Sequence, residues 1–446
     1  MALTGIQIYK LLPQTNCKEC GFPTCLAFAM KLAAKQVELS ACPYVTPEAK
    51  TQLAESAAPP IRLVALKSGS FEAKAGNEVV LFRHEKTFYN KPGIFIRVYD
   101  NQTADAIKTI AAEASAYAVN YVGMDLTVDG FAVASTSGDP NAFTAAVQAI
   151  REVSKRPIIL MSREANVIKA GLNVLKDETP LIYGADAKNW EAFANLAKES
   201  KSALGVVAGS LAEMAELTES IKAAGIEDIV IDPGGRDLGT GLAIGTTIRR
   251  LAVKKNFRAL GFPVITFPGD VSDPGMEAVQ AAQAITKYAG FIVLDHFNPS
   301  TIYPLLVLRQ NIYTDPQKPI QVQPGIYEIN APKPESPVLV TTNFSITYFS
   351  VANEVEGSGL PAWLLVTDAE GMSVLTAWAA GKFDAERIAK AVKGFNVADK
   401  VSRKRVVLPG HVAVLSGELE AELPDWEIRV GPREAVDLPA FMKQAL

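Results

Sequence analysis

The chain has 446 residues, of which 48% are hydrophobic and 21% are charged, with a formal net charge of −4 at pH 7. This length predicts about two to four domains, and the weakly acidic balance argues against a nucleic-acid-binding protein. No apolar run reaches transmembrane length, the first residues lack a secretory pattern, and three histidines are too few for a histidine-rich metal site.

All four cysteines of the chain, Cys17, Cys20, Cys25 and Cys42, lie near its start. Cluster ligands often come as a tight run plus a remote cysteine followed by proline, and Pro43 follows the last cysteine here. The spacing therefore predicts a [4Fe–4S] cluster. Structural zinc is the main alternative, although zinc sites usually draw on two close pairs. Disulfides are disfavoured because no secretory signal is seen and a large core needs no cross-links.

The residues around the cysteines suit a cluster. Gly21 interrupts regular structure between the second and third cysteines, so backbone N–H groups are expected to turn toward sulfur. A helix is predicted over residues 26–37, which places Cys25 near its positive N-terminal end, where a thiolate is favoured. Shorter helices are predicted over residues 4–12 and after Thr46.

The first domain boundary follows this module. We predict a cluster domain over residues 1–57, followed by a linker and small β segment over residues 58–92. The linker contains alanine and proline without apolar periodicity. Two strands are predicted within the segment, at residues 62–67 and 78–83.

From residue 93 onward, short apolar runs alternate with amphipathic helical stretches. The predicted strands are residues 94–100, 118–126, 157–162, 180–185, 203–209, 228–234, 263–269 and 291–297. The helical stretches between them include residues 105–118, 141–155, 187–199, 211–224 and 276–288. Strict alternation over eight buried strands predicts a (β/α)8 (TIM) barrel over residues 93–325, with an open doubly wound sheet as the alternative.

The remaining residues, 326–446, predict a Rossmann-like α/β domain. Its strands are expected at residues 336–343, 362–368, 404–410 and 426–431. Its helices are expected at residues 345–356, 374–380, 384–393 and 411–420. The loops after the strands are rich in Gly, Ser and Thr, which suits a large ligand with phosphate or amide groups, although ordinary loop caps would look similar. Neither a G-x-G-x-x-G fingerprint nor a P-loop is present, so a nicotinamide or nucleoside triphosphate is not supported.

Several carboxylates are expected near the C-terminal ends of the barrel strands, where barrel enzymes bind substrate. They are Asp125, Asp232, Asp270 and Asp295, the last beside His296. No nucleophile–base pair or metal triad emerges among them, so a scaffold or docking barrel is favoured over a catalytic one. The glycine-rich residues 239–245 are interpreted as a helix N-terminus rather than a phosphate loop.

With these residues in place, the chain resembles the large subunits of corrinoid iron–sulfur proteins of the anaerobic acetyl-CoA (Wood–Ljungdahl) pathway. The resemblance covers the whole length. It rests on the cysteine spacing, the eight-strand barrel, and the strings TTNFSITYF and TDAEGMSVLTAWAAGKFD in the last domain. It implies a [4Fe–4S] cluster on the four cysteines and a cobalamin-type corrinoid on the C-terminal domain.

The resemblance also implies a methyl and electron carrier rather than a stand-alone enzyme. Cob(I) would take a methyl group from methyltetrahydrofolate on a separate methyltransferase, and methyl–Co(III) would give it to acetyl-CoA synthase. The cluster would return the electron that Co(I) loses on oxidation to Co(II), helped by movement at the linker over residues 57–60. The expected partners are a small subunit that forms a heterodimer, the methyltransferase, acetyl-CoA synthase/CO dehydrogenase and a reductive activator, all in the cytoplasm.

Resemblance and position together assign the corrinoid contacts. They are Thr341, Thr342, Asn343, Thr347, Gly371, Met372, Ser373, Val374, Leu375 and Thr376, with Gly410, Gly431 and Ala435 more loosely. The Asp-x-His-x-x-Gly signature of common B12 domains is absent, and neither His296 nor His411 fits it. We therefore expect no protein histidine on cobalt.

Two other functions stay open on the sequence. One is a self-contained pterin-dependent methyltransferase, with Asp125, Asp232 and Asp295 near a pterin in the barrel. The other is an iron–sulfur electron carrier without corrinoid, whose C-terminal domain docks proteins.

Overall fold

The computed structural model describes residues 4–33, 36–50, 53, 59–315 and 320–445. The chain forms two compact units. The first comprises Met1–Ala118 and Thr127–Tyr313, and the second comprises Val119–Leu126 and Thr314–Leu446. The four-part division over residues 1–57, 58–92, 93–325 and 326–446 stays a prediction. Within the described ranges, no helix is long and apolar enough to cross a membrane.

The cysteine-bearing module begins with two α-helices, Gly5–Leu11 and Cys25–Ala33, and a 3-10 turn, Leu39–Ala41. Thr4 and Gln7 form a capping box at the first helix, as each side chain accepts a hydrogen bond from the other residue's backbone N–H. The second helix starts one residue before the predicted position. The predicted extension to residue 37 passes through residues 34 and 35, and the predicted linker includes residues 57 and 58; these four lie outside the described residues.

Eight parallel strands close into a barrel, which confirms the barrel prediction over the open sheet. The strands are Gly93–Tyr99, Gly130–Ala134, Ile158–Met161, Leu181–Ala185, Ala203–Val207, Ile229–Asp232, Val264–Thr266 and Ala289–Leu294. The helices are Ala104–Ala116, Pro140–Val153, Ala165–Leu172, Trp190–Ser200, Leu211–Ala223, Leu238–Lys255, Pro274–Thr286 and Pro299–Ile312, with 3-10 turns Arg258–Leu260 and Pro268–Asp270. The strands are mostly buried throughout, which is why they read as continuous apolar runs.

The predicted second barrel strand, residues 118–126, is wrong. These residues form an antiparallel hairpin, Val119–Tyr121 with Met124–Leu126, and the true second strand is Gly130–Ala134. The hairpin turns through Val122 and Gly123, both with positive φ, and Val122 packs in the core of the second unit. Asp125 therefore does not lie at the end of a barrel strand, contrary to expectation.

A second hairpin, Val64–Ser68 with Phe71–Ala75, packs against the N-terminal end of the barrel. The inward side chains of this hairpin pack in one hydrophobic core with Phe95 and Phe291, which lie near the starts of two barrel strands. The predicted strand over residues 78–83 is wrong, because the chain turns back at Gly69 and pairs residues 71–75 instead. The sequence did not predict the strand Phe71–Ala75, because the residues that it turns inward are alanines, which give a weak apolar pattern.

The second unit contains a five-stranded sheet. In sheet order the strands are Gly325–Ile329, Ala362–Thr367, Val338–Thr342, Arg405–Leu408 and Glu427–Val430. The four predicted strands are confirmed and parallel, whereas the first is an antiparallel edge strand that the prediction missed. The helices are Ser345–Ser358, Val374–Ala379, Ala385–Gly394, Ser416–Glu422 and Leu438–Ala445, with 3-10 turns Val397–Asp399, Gly410–Leu415 and Ala435–Asp437. The helix predicted over residues 411–420 is thus a 3-10 segment followed by a short α-helix.

Candidate functional site

The sheet of the second unit has a topological switch point at its central strand. After Val338–Thr342 the chain forms the strand Ala362–Thr367 on one side of it, and later the strand Arg405–Leu408 on its other side. Connections that leave in opposite directions open a crevice beyond the carboxyl ends of the strands, where ligands bind in open α/β sheets. A cavity of about 320 Å³ lies at this position.

The cavity brings together part of the predicted site. The predicted residues in its wall are Thr341, Thr347, Ser373, Val374, Leu375, Gly431 and Ala435. The predicted residues outside its lining are Thr342, Asn343, Gly371, Met372, Thr376 and Gly410. Sequence reasoning missed the apolar wall residues Leu339, Val351, Val407 and Leu438, and also His411 and Arg433. These residues come from strands and helices far apart in the chain, so no local motif marks them.

Thr341 is one of the residues that line the cavity, and its hydroxyl is buried. Its side chain is 1% exposed, and its Oγ1 has no hydrogen-bond partner among the described residues. Leaving a buried hydroxyl unpaired costs about 1–3 kcal/mol, which a bound ligand with a polar edge would offset. Thr342 is equally buried and unpaired within the described chain, but it points to the opposite face of the strand and does not line the cavity. The Thr341 hydroxyl is thus a polar group beside the cavity whose hydrogen-bond partner the described residues do not supply.

Asn343 shapes the loop beside the cavity. Its Oδ1 accepts hydrogen bonds from the backbone N–H groups of Ala369 and Gly371, at 2.9 and 3.0 Å. Its Nδ2 donates to Gln321 and Asp368, both at 3.2 Å. With both acceptor and both donor positions used, the amide fixes the loop rather than offering a free group to a ligand.

Large apolar side chains are exposed on the segments that form the cavity wall. Ile346 is 65% exposed and Leu375 is 45% exposed, and both line the cavity. Val414 and Val436, which follow the lining residues His411 and Ala435, are 68% and 66% exposed. A rim of this kind suits a broad, largely apolar ligand or a protein that covers it.

His411 lies in the wall of the cavity at its polar edge. Its Nε2 lies 3.7 Å from Glu434 Oε1, and the neighbouring Arg433 also lines the cavity. The sequence predicts that no protein histidine binds cobalt. Its position makes His411 the side chain on which that expectation should be tested.

The four cysteines of the N-terminal module differ in exposure. Cys25 and Cys42 are buried in a small core with Phe28, whereas Cys20 is half-buried and Cys17 is exposed. Cys25 is the first residue of its helix, as expected, at the end where the helix dipole favours a thiolate. Two sulfur atoms are thus held by packing and one faces solvent.

Asn16 is a residue of this module that sequence reasoning missed. Its backbone has a φ of 51°, and its N–H donates to Cys25 Sγ at 3.4 Å. Its Oδ1 in turn accepts from the Cys25 N–H at 2.8 Å. Lys18 and Gly21 also have positive φ, so the loop between the first helices is tightly turned. N–H donation to sulfur stabilises thiolates and anionic clusters.

The donor set of this module is four thiols without histidine. Among the described residues, which include all four cysteines, no three His, Cys, Asp or Glu side chains are grouped so that they could hold a metal ion, so the structure does not gather the predicted ligands at one point. Four thiols on one short module, with N–H donation to sulfur, fit the ligand set of an iron–sulfur cluster.

The mouth of the barrel contains a network of ion pairs. Arg97 lies between Asp295 and Asp270, donating to Asp295 Oδ2 at 3.0 Å and to Asp270 Oδ1 at 2.7 Å. Arg236 donates twice to Asp232, at 2.9 and 2.7 Å, and once to Asp270 at 3.0 Å. Three of the predicted carboxylates do meet at one end of the barrel, and each is paired with arginine.

Two tyrosines and a glutamate complete this network. The Tyr183 hydroxyl donates to Asp232 at 2.6 Å, and the Tyr99 hydroxyl donates to Asp295 at 2.7 Å. Burial and the Asp295 hydrogen bond raise the pKa of Tyr99 to about 12. The His296 Nδ1 atom is hydrogen-bonded to Glu277 Oε2 at 2.7 Å. These groups satisfy one another, which is consistent with a structural role for the mouth.

The glycine-rich residues 239–245 lie inside the helix Leu238–Lys255, whose N-cap is Asp237. The Asp237 side chain accepts a hydrogen bond from the Thr240 N–H at 2.9 Å. This confirms the interpretation as a helix N-terminus rather than a phosphate loop.

Comparisons with known proteins agree with the geometry. A family described as "CO dehydrogenase/acetyl-CoA synthase delta subunit" matches residues 64–442, and one described as "Putative Fe-S cluster" matches residues 12–44. The corrinoid/iron-sulfur protein large subunit of Moorella thermoacetica is 44% identical over 446 residues, covering 100% of both chains. The acetyl-CoA decarbonylase/synthase complex subunit gamma of Methanopyrus kandleri is 34% identical, over 99% of this chain and 98% of that one.

Among solved structures, a dihydropteroate synthase from Xanthomonas albilineans in complex with 7,8-dihydropteroate matches 55% of this chain and 97% of its own. Its identity to this chain is 12% and the TM-score is 0.38.

Proposed function

The chain belongs to the family of corrinoid/iron–sulfur protein large subunits, and from this premise we propose that it binds a [4Fe–4S] cluster and a corrinoid and carries methyl groups in the acetyl-CoA pathway. The cluster would be held by Cys17, Cys20, Cys25 and Cys42. The corrinoid would be held in the cavity at the switch point of the C-terminal sheet. The observation that carries this proposal is the cavity itself, which lies beyond the carboxyl ends of the strands and has Thr341 among its lining residues.

The cavity residues divide into two roles in this proposal. Those in the wall would contact the corrinoid directly, through the Thr341 and Thr347 hydroxyls and the start of the helix Val374–Ala379. Asn343 and Gly371 would act indirectly, by fixing the loop that ends beside the ligand. The exposed apolar rim would lie against the ring or against the protein that covers its outer face.

A corrinoid, when bound, supplies a cobalt centre that accepts and hands on a methyl group. The chain's own contribution is to hold this group beside apolar walls and to limit the ligands that reach cobalt. We propose that His411 does not coordinate cobalt, since Glu434 lies beside its ring and offers it a partner. An electron spin resonance spectrum with nitrogen coupling that disappears in His411→Ala would contradict this.

The cysteine module would serve as the electron relay that keeps cobalt reduced. Packing of Cys25 and Cys42 anchors two ligands, and the Asn16 N–H adds a hydrogen bond to one sulfur. The exposed Cys17 places one edge of the site at the surface, where an electron donor can approach. Free thiols and metal ligation suit the cytoplasm, where we place the protein.

The partners in this proposal follow the same reasoning. A small subunit would form a heterodimer with this chain and cover the outer face of the corrinoid. A methyltetrahydrofolate methyltransferase would load the methyl group, acetyl-CoA synthase/CO dehydrogenase would receive it, and a reductive activator would supply electrons.

A self-contained pterin-dependent methyltransferase is less favoured. Of the three aspartates it would use, Asp232 and Asp295 are paired with arginine and Asp125 lies on a hairpin outside the barrel. A chain that turns over methyltetrahydrofolate without any partner would revive this function.

The first test is an anaerobic metal analysis of the full chain purified with its small subunit. We expect about four iron and one cobalt per chain, with corrinoid absorption bands. Cys25→Ser should lose iron and keep cobalt, whereas Thr24→Ala, at the neighbouring position, should keep both. Iron without cobalt would leave an electron carrier, and zinc in place of iron would overturn the cluster.

A further inference from the structure

Asn16 is joined to Cys25 by two hydrogen bonds that run in opposite directions. The Asn16 backbone N–H donates to Cys25 Sγ at 3.4 Å, and the Cys25 backbone N–H donates to Asn16 Oδ1 at 2.8 Å. Two bonds between the same pair of residues fix both the separation and the relative orientation of their segments. One residue therefore holds the backbone and the sulfur of this cysteine together.

The Cys25 N–H needs an acceptor from outside its own helix. Cys25 is the first residue of the helix Cys25–Ala33, and the first four N–H groups of an α-helix have no carbonyl to bind within it. The Thr24 hydroxyl accepts from the Ala27 N–H at 3.1 Å, and the Thr24 carbonyl accepts from the Phe28 N–H. The Asn16 side chain supplies the acceptor for Cys25.

Asparagine meets two requirements at position 16. Its backbone φ of 51° lies in the left-handed region, which asparagine and aspartate adopt several-fold more often than most residues with a side chain. Its short amide also carries the oxygen that binds the Cys25 N–H. Glycine would allow the same backbone conformation without the second bond, whereas aspartate would allow both and add a charge.

The pair also closes a loop around the first cysteines. Cys17 and Cys20 lie between the two bonded residues in the chain, so the ends of the segment with three of the four predicted ligands are tied together. Ordering a loop costs conformational entropy, and bonds within the chain meet part of this cost before a ligand binds. Cys25 is 6% exposed, and an N–H directed at a buried sulfur acts more strongly than one in water.

We propose that Asn16 is a positioning residue for the cluster: its side chain holds Cys25 so that the Asn16 N–H stays against the sulfur. The inference rests on the proposed function, which supplies the [4Fe–4S] cluster, and it assigns a role to a residue that is not a ligand. An N–H dipole directed at a ligand sulfur stabilises the more negative, reduced cluster and so raises the reduction potential. The same contacts hold the ligand in place and slow the loss of iron.

The test compares Asn16→Gly with Gln14→Gly in the full chain, purified anaerobically with its small subunit. Both positions have positive φ, and glycine keeps that backbone conformation at each. Asn16→Gly removes a bond to a cysteine, whereas the Gln14 side chain donates to the Tyr9 carbonyl. We expect Asn16→Gly to lose iron to an excess of chelator about tenfold faster than the parent, with Gln14→Gly unchanged.

A redox titration of the cluster separates positioning from a purely structural role. In the fraction of Asn16→Gly that keeps its cluster, the midpoint potential should be lower than in the parent, because the N–H is no longer held against the sulfur. Asn16→Asp keeps the acceptor oxygen and should retain iron as the parent does, with a lower midpoint potential because its charge opposes reduction. If Asn16→Gly does not fold, hydrogen exchange decides: the Cys25 amide must be protected in the parent and in Asn16→Asp.

Iron loss from Asn16→Gly at the parent rate would overturn the inference, as would an unchanged midpoint potential. Equally fast iron loss from Gln14→Gly, or an unprotected Cys25 amide, would also overturn it. Iron analysis of the parent separates this failure from failure of the proposed function. About four iron per chain shows the cluster to be present whatever the variants do, whereas zinc or no iron in the parent would overturn both.

Discussion

Replacing Thr341 with valine should change stability and ligand binding in opposite directions. Valine matches the shape of threonine but removes the hydroxyl that is buried without a partner among the described residues. In the corrinoid-free protein, removal of this unpaired group should stabilise the C-terminal unit by about 1–3 kcal/mol. At about 2–4 °C per kcal/mol for a unit of this size, the melting temperature should rise measurably.

With the corrinoid bound, the same substitution should be unfavourable, because it weakens ligand binding. A polar group of the ligand that pairs with the Thr341 hydroxyl would face a methyl group in Thr341→Val and lose its partner. The loss of about 1–2 kcal/mol corresponds to a dissociation constant raised by about five- to thirtyfold. Melting of corrinoid-free protein by calorimetry and titration with cobalamin under anaerobic conditions give the two values.

Thr342→Val is the matched control. It removes an equally buried hydroxyl from the neighbouring position, which lies outside the cavity. We expect the same stabilisation without any change in affinity. If Thr341→Val binds cobalamin as tightly as the parent, or destabilises the corrinoid-free protein, the role assigned to Thr341 is refuted.

Three further predictions concern the rest of the molecule. Asn343→Ala should destabilise the C-terminal unit by about 2–4 kcal/mol, seen in urea unfolding, because it leaves the buried Ala369 N–H unpaired. Asp232→Asn should cost about 1–3 kcal/mol by the same assay while iron and cobalt contents stay unchanged, because it removes the charge of a buried carboxylate that is hydrogen-bonded to the partly exposed Arg236; altered metal contents would contradict a purely structural role. Hydrogen bonds from arginines, first Arg405, lower the pKa of Glu427 to about 2. Its stabilising effect should therefore be complete above the ordinary carboxyl pKa of 4.5 and lost as pH falls toward 2. Glu427→Gln should show a smaller loss of stability between pH 5 and pH 3 in urea titrations, and equal losses would exclude this contribution.

The elements that the sequence predicted well are those specified by local pattern. Buried parallel strands are apolar along their whole length, so seven of the eight barrel strands and the four parallel strands of the C-terminal sheet could be recognised singly. The helix predicted over residues 4–12 is also specified locally, because the Thr4 side chain that caps it bonds to the backbone three residues on.

The misassigned strands have a common cause. Residues 119–126 are apolar because the hairpin packs on the second unit, and an apolar pattern does not say which core it joins. Strand Phe71–Ala75 turns only alanines inward, and the edge strand Gly325–Ile329 is incompletely buried. In each case burial was set by residues distant in sequence.

The candidate sites also combine features that local sequence specifies with features that depend on residues distant in the chain. The cysteines and the threonine- and serine-rich loops are contiguous in the chain, so the sequence alone determined which chemical groups stand at the cluster module and at the strand ends. The cavity was decided only by the tertiary structure, since reversal of strand order at Val338–Thr342 places Val407 and Leu438 in the same cavity wall as Thr341. The tertiary structure also paired the barrel aspartates with Arg97 and Arg236, because a side chain's partner depends on which distant strands close beside it.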